Sequence, residues 1–308
     1  MIAIVCPGQG AQTPGFFWPW LEIEMFKQTI ERLADASGVD LLKHGTVSDA
    51  DTIRDTAIAQ PLIVSAGLAS AAVLFNSPSL PGSSSLAAAG HSVGEITAAA
   101  VSGVLSDEDA IKFVTKRGNA MASAAALQPT SMAAVVGGDE KVVLEKLASL
   151  GLEPANFNGG GQIVAAGTTE AIEQLKQDAP AGSRVIALQV AGAFHTRFMQ
   201  PAVEVLSEYA QTLATQDPSM KLFTNATGEL ESSGKNFVEL MVRQVSNPVR
   251  WDLCMASMLN QGVTAIIELS PAGTLTGLAK RSMPGVELLA VKTPENIEAA
   301  LSLINNHG

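Results

Sequence analysis

Apolar positions along the chain fall into short continuous runs separated by longer stretches in which they recur every three or four residues, the pattern of buried strands alternating with helices. Residues 1–6 are apolar and stop at Pro7, which predicts a first buried strand. Residues 61–75 form the most apolar stretch elsewhere; Ser65, Gly67 and Ser70 interrupt it and it is too short for a membrane span, so it predicts a core helix. A short strand is expected at 86–89, although its alanines are poor strand formers, followed by a helix at 95–102. Between 77 and 89, Pro78, Pro81 and Gly82 interleave with serines, so the first half of this segment reads as a turn-rich loop joining helix to strand.

The middle of the chain changes character. Strand 132–136, helix 139–150, strands 153–157 and 162–166, helix 169–177 and strand 184–190 give the order β-α-β-β-α-β, a ferredoxin-like arrangement able to close as its own small sheet. A helix at 201–215 and an apolar run at 265–269 then return to the first pattern. The expected architecture is therefore α/β: a large discontinuous domain with a mostly parallel sheet, residues 1–123 and 192–308, and a small ferredoxin-like domain inserted at 124–191.

Composition narrows the classes of function. With 308 residues, 47% hydrophobic and 16% charged, the chain carries too much apolar material for disorder. Its formal net charge of -11, from 19 basic and 30 acidic residues, gives no electrostatic footprint for nucleic acid or an anionic membrane, so neither is expected as a partner. Cys6 and Cys254 are too few for a disulfide framework or a zinc cluster, no metal is expected, and both thiols are expected to be buried. The first six residues contain no basic residue and fail as a secretory signal, which fits a reducing cytoplasm.

Gly90-His91-Ser92-Val93-Gly94 matches G-x-S-x-G between the expected strand and helix. Glycines on either side of a serine permit the sharp strand-to-helix turn of a nucleophile elbow, and such an elbow makes the large domain α/β-hydrolase-like. The helix N-terminus brings backbone N–H groups and a positive dipole end beside the serine, which suits an oxyanion. A serine nucleophile needs a base, and four histidines are available. His307 is next to the C-terminus and expected to be mobile, His91 should point away from the serine on the elbow, and His44 lies in a polar stretch. His195 follows the last small-domain strand, where the chain re-enters the large domain, and is the candidate base. No acidic residue identifies itself as a third member; a backbone carbonyl could orient the ring instead.

The turn Pro7-Gly8-Gln9-Gly10-Ala11-Gln12 has Thr13 where a dinucleotide fingerprint needs its third glycine, so it is either an ordinary turn or a donor of a backbone N–H to an oxyanion. Gly159-Gly160-Gly161 lacks the Lys-Ser/Thr pair of a phosphate loop and reads as a flexible hairpin connection. Arg117 ends a run, 112–117, that reads by itself as a basic helix face.

Taken together these motifs, the elbow extended as Gly90-His91-Ser92-Val93-Gly94-Glu95, with Arg117-Gly118, Asn156-Phe157-Asn158, Gly161-Gln162-Ile163-Val164-Ala165-Ala166-Gly167, Phe194-His195, Asn247-Pro248-Val249-Arg250-Trp251 and Pro271-Ala272-Gly273-Thr274-Leu275, span nearly the whole chain. In order and spacing the chain resembles the malonyl-CoA:acyl-carrier-protein transacylase family, the stand-alone acyltransferases of bacterial fatty-acid synthesis. It departs at Ala11, where the family often has serine.

The resemblance implies that Ser92 attacks the malonyl thioester with His195 as base in a ping-pong cycle, that the N–H groups of Gln9 and Val93 form the oxyanion hole, and that the Gln244 carbonyl holds the imidazole. It implies that Arg117 clamps the malonyl carboxylate, that Phe194 narrows the acyl site, and that Asn156, Asn158 and Gln162 line the cleft. Malonyl-CoA would be substrate, no cofactor would be bound permanently, and the partner would be an acidic acyl carrier protein, with Lys280 and Arg281 beside Lys112 and Lys116 as a candidate docking patch. The malonyl-transferring subunit of a malonate decarboxylase and a serine thioesterase are the alternative activities; a non-catalytic carrier-binding module is the alternative outside enzymes.

Overall fold

Strand β1 (Ile2–Cys6) is buried at every position, because it lies at the centre of a sheet whose two faces are both covered. The structure, a computed structural model, describes residues 1–76, 85–190 and 192–307. The loop expected in the first half of 77–89 falls largely at 77–84, outside the described residues.

After β1 come α1 (Glu24–Ser37), α2 (Leu41–Thr46) and α3 (Thr56–Phe75). Asp55 caps α3 by accepting from the Ala57 N–H, so the helix starts five residues before Pro61, which lies inside it. Helix α3 is long and apolar enough to cross a membrane, yet it is buried in the protein core along most of its length. Strand β2 (Leu86–Gly90) leads through the elbow into α4 (Gly94–Val101), and α5 (Asp107–Ala125) follows.

The next stretch runs β3 (Thr130–Gly137), α6 (Glu140–Ser149), β4 (Glu153–Gly159), β5 (Gln162–Thr168), α7 (Thr169–Gln177) and β6 (Ser183–Ala187). The remainder is α8 (Gln200–Ala210), β7 (Lys221–Leu222), α9 (Gly234–Gln244), β8 (Val249–Arg250), α10 (Trp251–Asn260), β9 (Ala265–Glu268), α11 (Thr274–Ser282), β10 (Glu287–Ala290) and α12 (Asn296–His307). Helix α8 stops at Ala210 rather than at 215, and β6 stops at Ala187 rather than at 190.

The first sheet has the order β10-β9-β1-β2-β7 with every neighbouring pair parallel. Alternate residues serve opposite faces: Ile2 and Ile4 join the core containing α1, α3, α4 and α5, while Ala3 and Val5 pack with Trp251, Met255 and Leu278 of α10 and α11. The second sheet is mixed, with the order β6-β3-β5-β4-β8. Its first four strands pair antiparallel, and β8, from well beyond 124–191, adds in parallel to β4. Ala133, Val135, Ile163 and Ala165 face α6 and α7; Met132, Ala134 and Val164 face the other way, into the main core and a cleft beside the elbow.

Candidate active site

The elbow depends on backbone approach. A Cβ on Gly94 would lie 2.1 Å from the Cys6 carbonyl oxygen, and one on Gly90 would lie 2.0 Å from the Gly94 carbonyl carbon. Only glycine lets the start of α4 rest against the end of β1, and the turn leaves Ser92 at φ 54°, a region that side chains rarely adopt. The Asn225 side chain braces the turn from both sides, donating to the Gly90 carbonyl at 2.7 Å and accepting from the Ser92 N–H at 2.9 Å.

His195 also has positive φ, 61°, and its N–H donates to the Val245 carbonyl at 3.1 Å. Its Nδ1 lies 2.7 Å from the Gln244 carbonyl oxygen, which can only accept, so the ring proton sits on Nδ1. Nε2 is thereby left to accept from Ser92 Oγ at 2.7 Å. Burial first, and then the Arg117 guanidinium, press the imidazole down to about 3, so the ring is neutral at ordinary pH and available as a base. The pair arises from residues 103 positions apart, joined where the chain leaves the second sheet.

Gln9 and Val93 border the same cavity. Val93 immediately precedes the first residue of α4, and among the described residues neither its N–H nor that of Gln9 meets a protein acceptor. The Gln9 side chain turns aside toward the Arg54 carbonyl and Thr56. Gln9, Ser92, Val93, Asn156, Asn158, Gln162, Phe194 and His195 all border one cavity of about 220 Å³, which Met121, Met132, Leu188, Val190 and Leu278 make largely apolar. Leu188 and Val190 wall this cavity just past the end of β6.

Arg117 is not the outermost residue of a basic face. It is 1% exposed and points into the core, while Lys112 pairs with Glu108 at the surface and Lys116 lies over the Tyr209 ring. Gly118 beside it lets α5 touch α3, since a Cβ there would come 2.8 Å from the Thr56 carbonyl oxygen. The guanidinium donates to Gln60 Oε1 at 2.8 Å and to Gln244 Oε1 at 3.1 Å. Burial pulls it down to about 10, still a cation, with Glu95 acting in the opposite direction. Gln60 borders the cavity, so the charge stands one side chain behind the cavity wall.

His91 borders the same cavity as Ser92, its Nε2 2.8 Å from Asn158 Oδ1, and the Asn158 amide donates to Gln162 Oε1 at 2.9 Å. His44 meets Ser48, and His307 is held by Thr264 and Glu287 rather than free. Cys6 and Cys254 are both buried free thiols. Three residues of the site had no role assigned from sequence: Gln60, Asn225, and Glu95, which closes the elbow motif. Glu95 carried a signal, a lone carboxylate in the otherwise uncharged segment Gly94–Val101. Gln60 and Asn225 carried none, because an amide side chain looks the same in a loop, on a surface or in a network.

Residues 3–294 match the acyl transferase domain family. The malonyl CoA-acyl carrier protein transacylase of Mycobacterium bovis is 46% identical over 303 residues, covering 98% of this chain and 100% of the relative. That of Bacillus subtilis is 31% identical over 98% of this chain and 97% of its own. Among solved structures, MCAT from Mycobacterium tuberculosis aligns with a TM-score of 0.95 at 46% identity, covering 98% of this chain and 99% of that one. A malonyl-transacylase in complex with a type II PKS acyl-carrier protein aligns with a TM-score of 0.92 at 28% identity, covering 98% and 99%.

Proposed function

We propose that this chain, which belongs to the malonyl CoA-acyl carrier protein transacylase family, moves a malonyl group from coenzyme A to the phosphopantetheine thiol of an acyl carrier protein through a malonyl-serine intermediate. The observation that carries the reading is the 2.7 Å contact between Ser92 Oγ and a neutral, tautomer-fixed His195 at the edge of a largely apolar cavity.

Ser92 Oγ attacks the thioester carbonyl as its proton passes to His195 Nε2. The oxyanion is met by the N–H groups of Gln9 and Val93, and the positive end of α4 adds to their effect. Collapse breaks the C–S bond, and the imidazolium returns its proton to the departing thiol. The carrier's thiol then gives its proton to His195, attacks the acyl-serine and restores Ser92 Oγ–H, so the second half-reaction retraces the first. Gln244 keeps the ring oriented through its main-chain carbonyl, in the place an acidic third member would take.

Arg117 meets the malonyl carboxylate by exchanging a Gln60 or Gln244 amide acceptor for two carboxylate oxygens, a stronger bidentate pairing that an acetyl group cannot supply. Phe194 limits the room beside the base, and Asn156, Asn158 and Gln162 line the route between the sheets. This chemistry requires no permanently bound cofactor. The parallel sheet with its serine elbow is α/β-hydrolase-like and the β6-β3-β5-β4 order is ferredoxin-like; we divide the chain into 1–123 with 192–308 and an inserted 124–191, with β8 lent to the smaller sheet. The buried free thiols suit a cytoplasmic setting.

The test is intact-protein mass after brief exposure to malonyl-CoA, on wild type and Ser92→Ala, followed by addition of a phosphopantetheinylated carrier. A malonyl adduct on wild type alone, discharged faster to carrier than to water, is the expected result. No adduct on wild type sinks covalent transfer at Ser92, and an adduct lost to water regardless of carrier makes the chain a thioesterase.

A further inference from the structure

The transfer steps leave one buried carboxyl unused. Glu95 is 1% exposed, three residues past the nucleophile. Oε1 accepts from the Asn225 N–H at 2.6 Å and Oε2 accepts from Gln244 Nε2 at 2.6 Å. The same Gln244 nitrogen donates to Asn225 Oδ1 at 2.9 Å. Both protons of that amide are thus committed, and its oxygen, Oε1, is what remains to accept from Arg117.

A primary amide has one donating end and one accepting end. Turned end for end, the Gln244 amide would set its NH2 against the guanidinium and its oxygen against two oxygens that accept here, Glu95 Oε2 and Asn225 Oδ1. Asn225 cannot relieve that clash by turning as well, because its own amide is fixed by the Gly90 carbonyl on the donating end and the Ser92 N–H on the accepting end. Glu95 Oε2, together with Asn225 Oδ1, therefore sets which end of Gln244 meets Arg117.

We propose that Glu95 is a positioning residue for acyl selection: by fixing the direction of the Gln244 side-chain amide, it sets the orientation in which Arg117 meets the free carboxylate of the acyl group. This rests on the reading of Arg117 given above. Glu95 touches no reacting atom; its Oε1 holds Asn225, which braces the Ser92 turn for any acyl group, whereas its Oε2 acts on Arg117 through Gln244, so its removal should weaken the reaction of malonyl more than that of acetyl.

The experiment measures acylation of Ser92 by malonyl-CoA and by acetyl-CoA, as kcat/KM, in wild type, Glu95→Gln, Gln244→Leu and the double variant. Gln244→Leu keeps the main-chain carbonyl that holds His195 and loses only the amide. The malonyl-to-acetyl ratio is expected to fall about tenfold in Glu95→Gln, about as far in Gln244→Leu, and no further in the double variant. Equal loss for both acyl groups, or losses that multiply in the double variant, overturns the proposal. If Glu95→Gln does not fold, Gln244→Leu decides alone, and an unchanged ratio there overturns it. Failure of wild type to acylate Ser92 would instead sink the transacylase reading, whereas wild-type acylation with an unaltered ratio in Glu95→Gln sinks only this inference.

Discussion

Ser92 at φ 54° and His195 at φ 61° hold conformations that cost free energy, and each is secured by neighbours that give the strain no release. The buried charges around them make folding depend on pH in opposed ways. Burial raises Glu95 from its ordinary 4.5 to about 8, so between those values the folded chain holds a proton that the unfolded chain has lost, and stability falls as pH rises. Burial and Arg117 lower His195 from 6.5 to about 3, so there the unfolded chain binds the extra proton and stability falls as pH drops. The two slopes oppose each other from 4.5 to 6.5, and above 6.5 only the Glu95 slope remains. Wild type should therefore lose on the order of 1 kcal/mol per pH unit from this one group as pH climbs above 6.5, less steeply as it nears 8, and Glu95→Gln should flatten the decline. Denaturant midpoints across that range, wild type beside variant, measure it; parallel curves would mean that Glu95 does not titrate there. At this scale the sequence reveals nucleophile and base, because glycine spacing marks an elbow and elimination leaves one histidine. It conceals Gln60 and Asn225, whose partners lie 57 residues away at Arg117 and 133 at Ser92.

Elements were readable where burial and capping agree. The chain from 139 to 177 came out as expected because Asp139 and Thr168 cap α6 and α7 and the faces of β3 and β5 alternate cleanly. Helix α3 begins at Thr56, five residues before the apolar stretch at 61–75, because Asp55 caps it there. The two-residue strands β7 and β8 are too short for any periodicity to mark them. The seam between α4 and β1 is where an element is least tolerant. Gly94→Ala forces a methyl to within 2.1 Å of backbone at Cys6, where neither the central strand nor the helix can give way. We expect a loss of ~3 kcal/mol or more together with loss of acyl-serine formation. Gly277→Ala on α11, where a Cβ meets nothing within 4 Å, is the control and should stay near wild type in denaturant midpoint. A Gly94→Ala protein as stable as wild type would mean that the elbow does not need this close approach.

For the whole molecule, the order of elements disclosed two sheets but not their joint. The fifth strand of the mixed sheet comes from 249–250, so the cleft is tied together by a segment far along the chain, and a pairing of two residues leaves no mark in sequence. An acidic carrier would meet an overall charge of -11, so the docking we propose rests on a local excess of positive charge. Helix α11 is the best placed: Thr274, Leu275 and Leu278 border the cavity, and Lys280 and Arg281 follow on the same helix, both exposed. Arg281 also packs over the hairpin at Gly160, which links the patch to the second sheet. Lys112 is a weaker candidate because Glu108 already pairs with it. Lys280→Glu with Arg281→Glu should raise the carrier KM about tenfold, with a much smaller effect on acylation by malonyl-CoA. Added salt should raise the wild-type carrier KM and leave the variant nearly insensitive, since screening acts only on an attraction that is present. A carrier KM unchanged by the double reversal would place docking on another face, and a KM raised equally for carrier and malonyl-CoA would make the pair a general anion site at the cavity mouth.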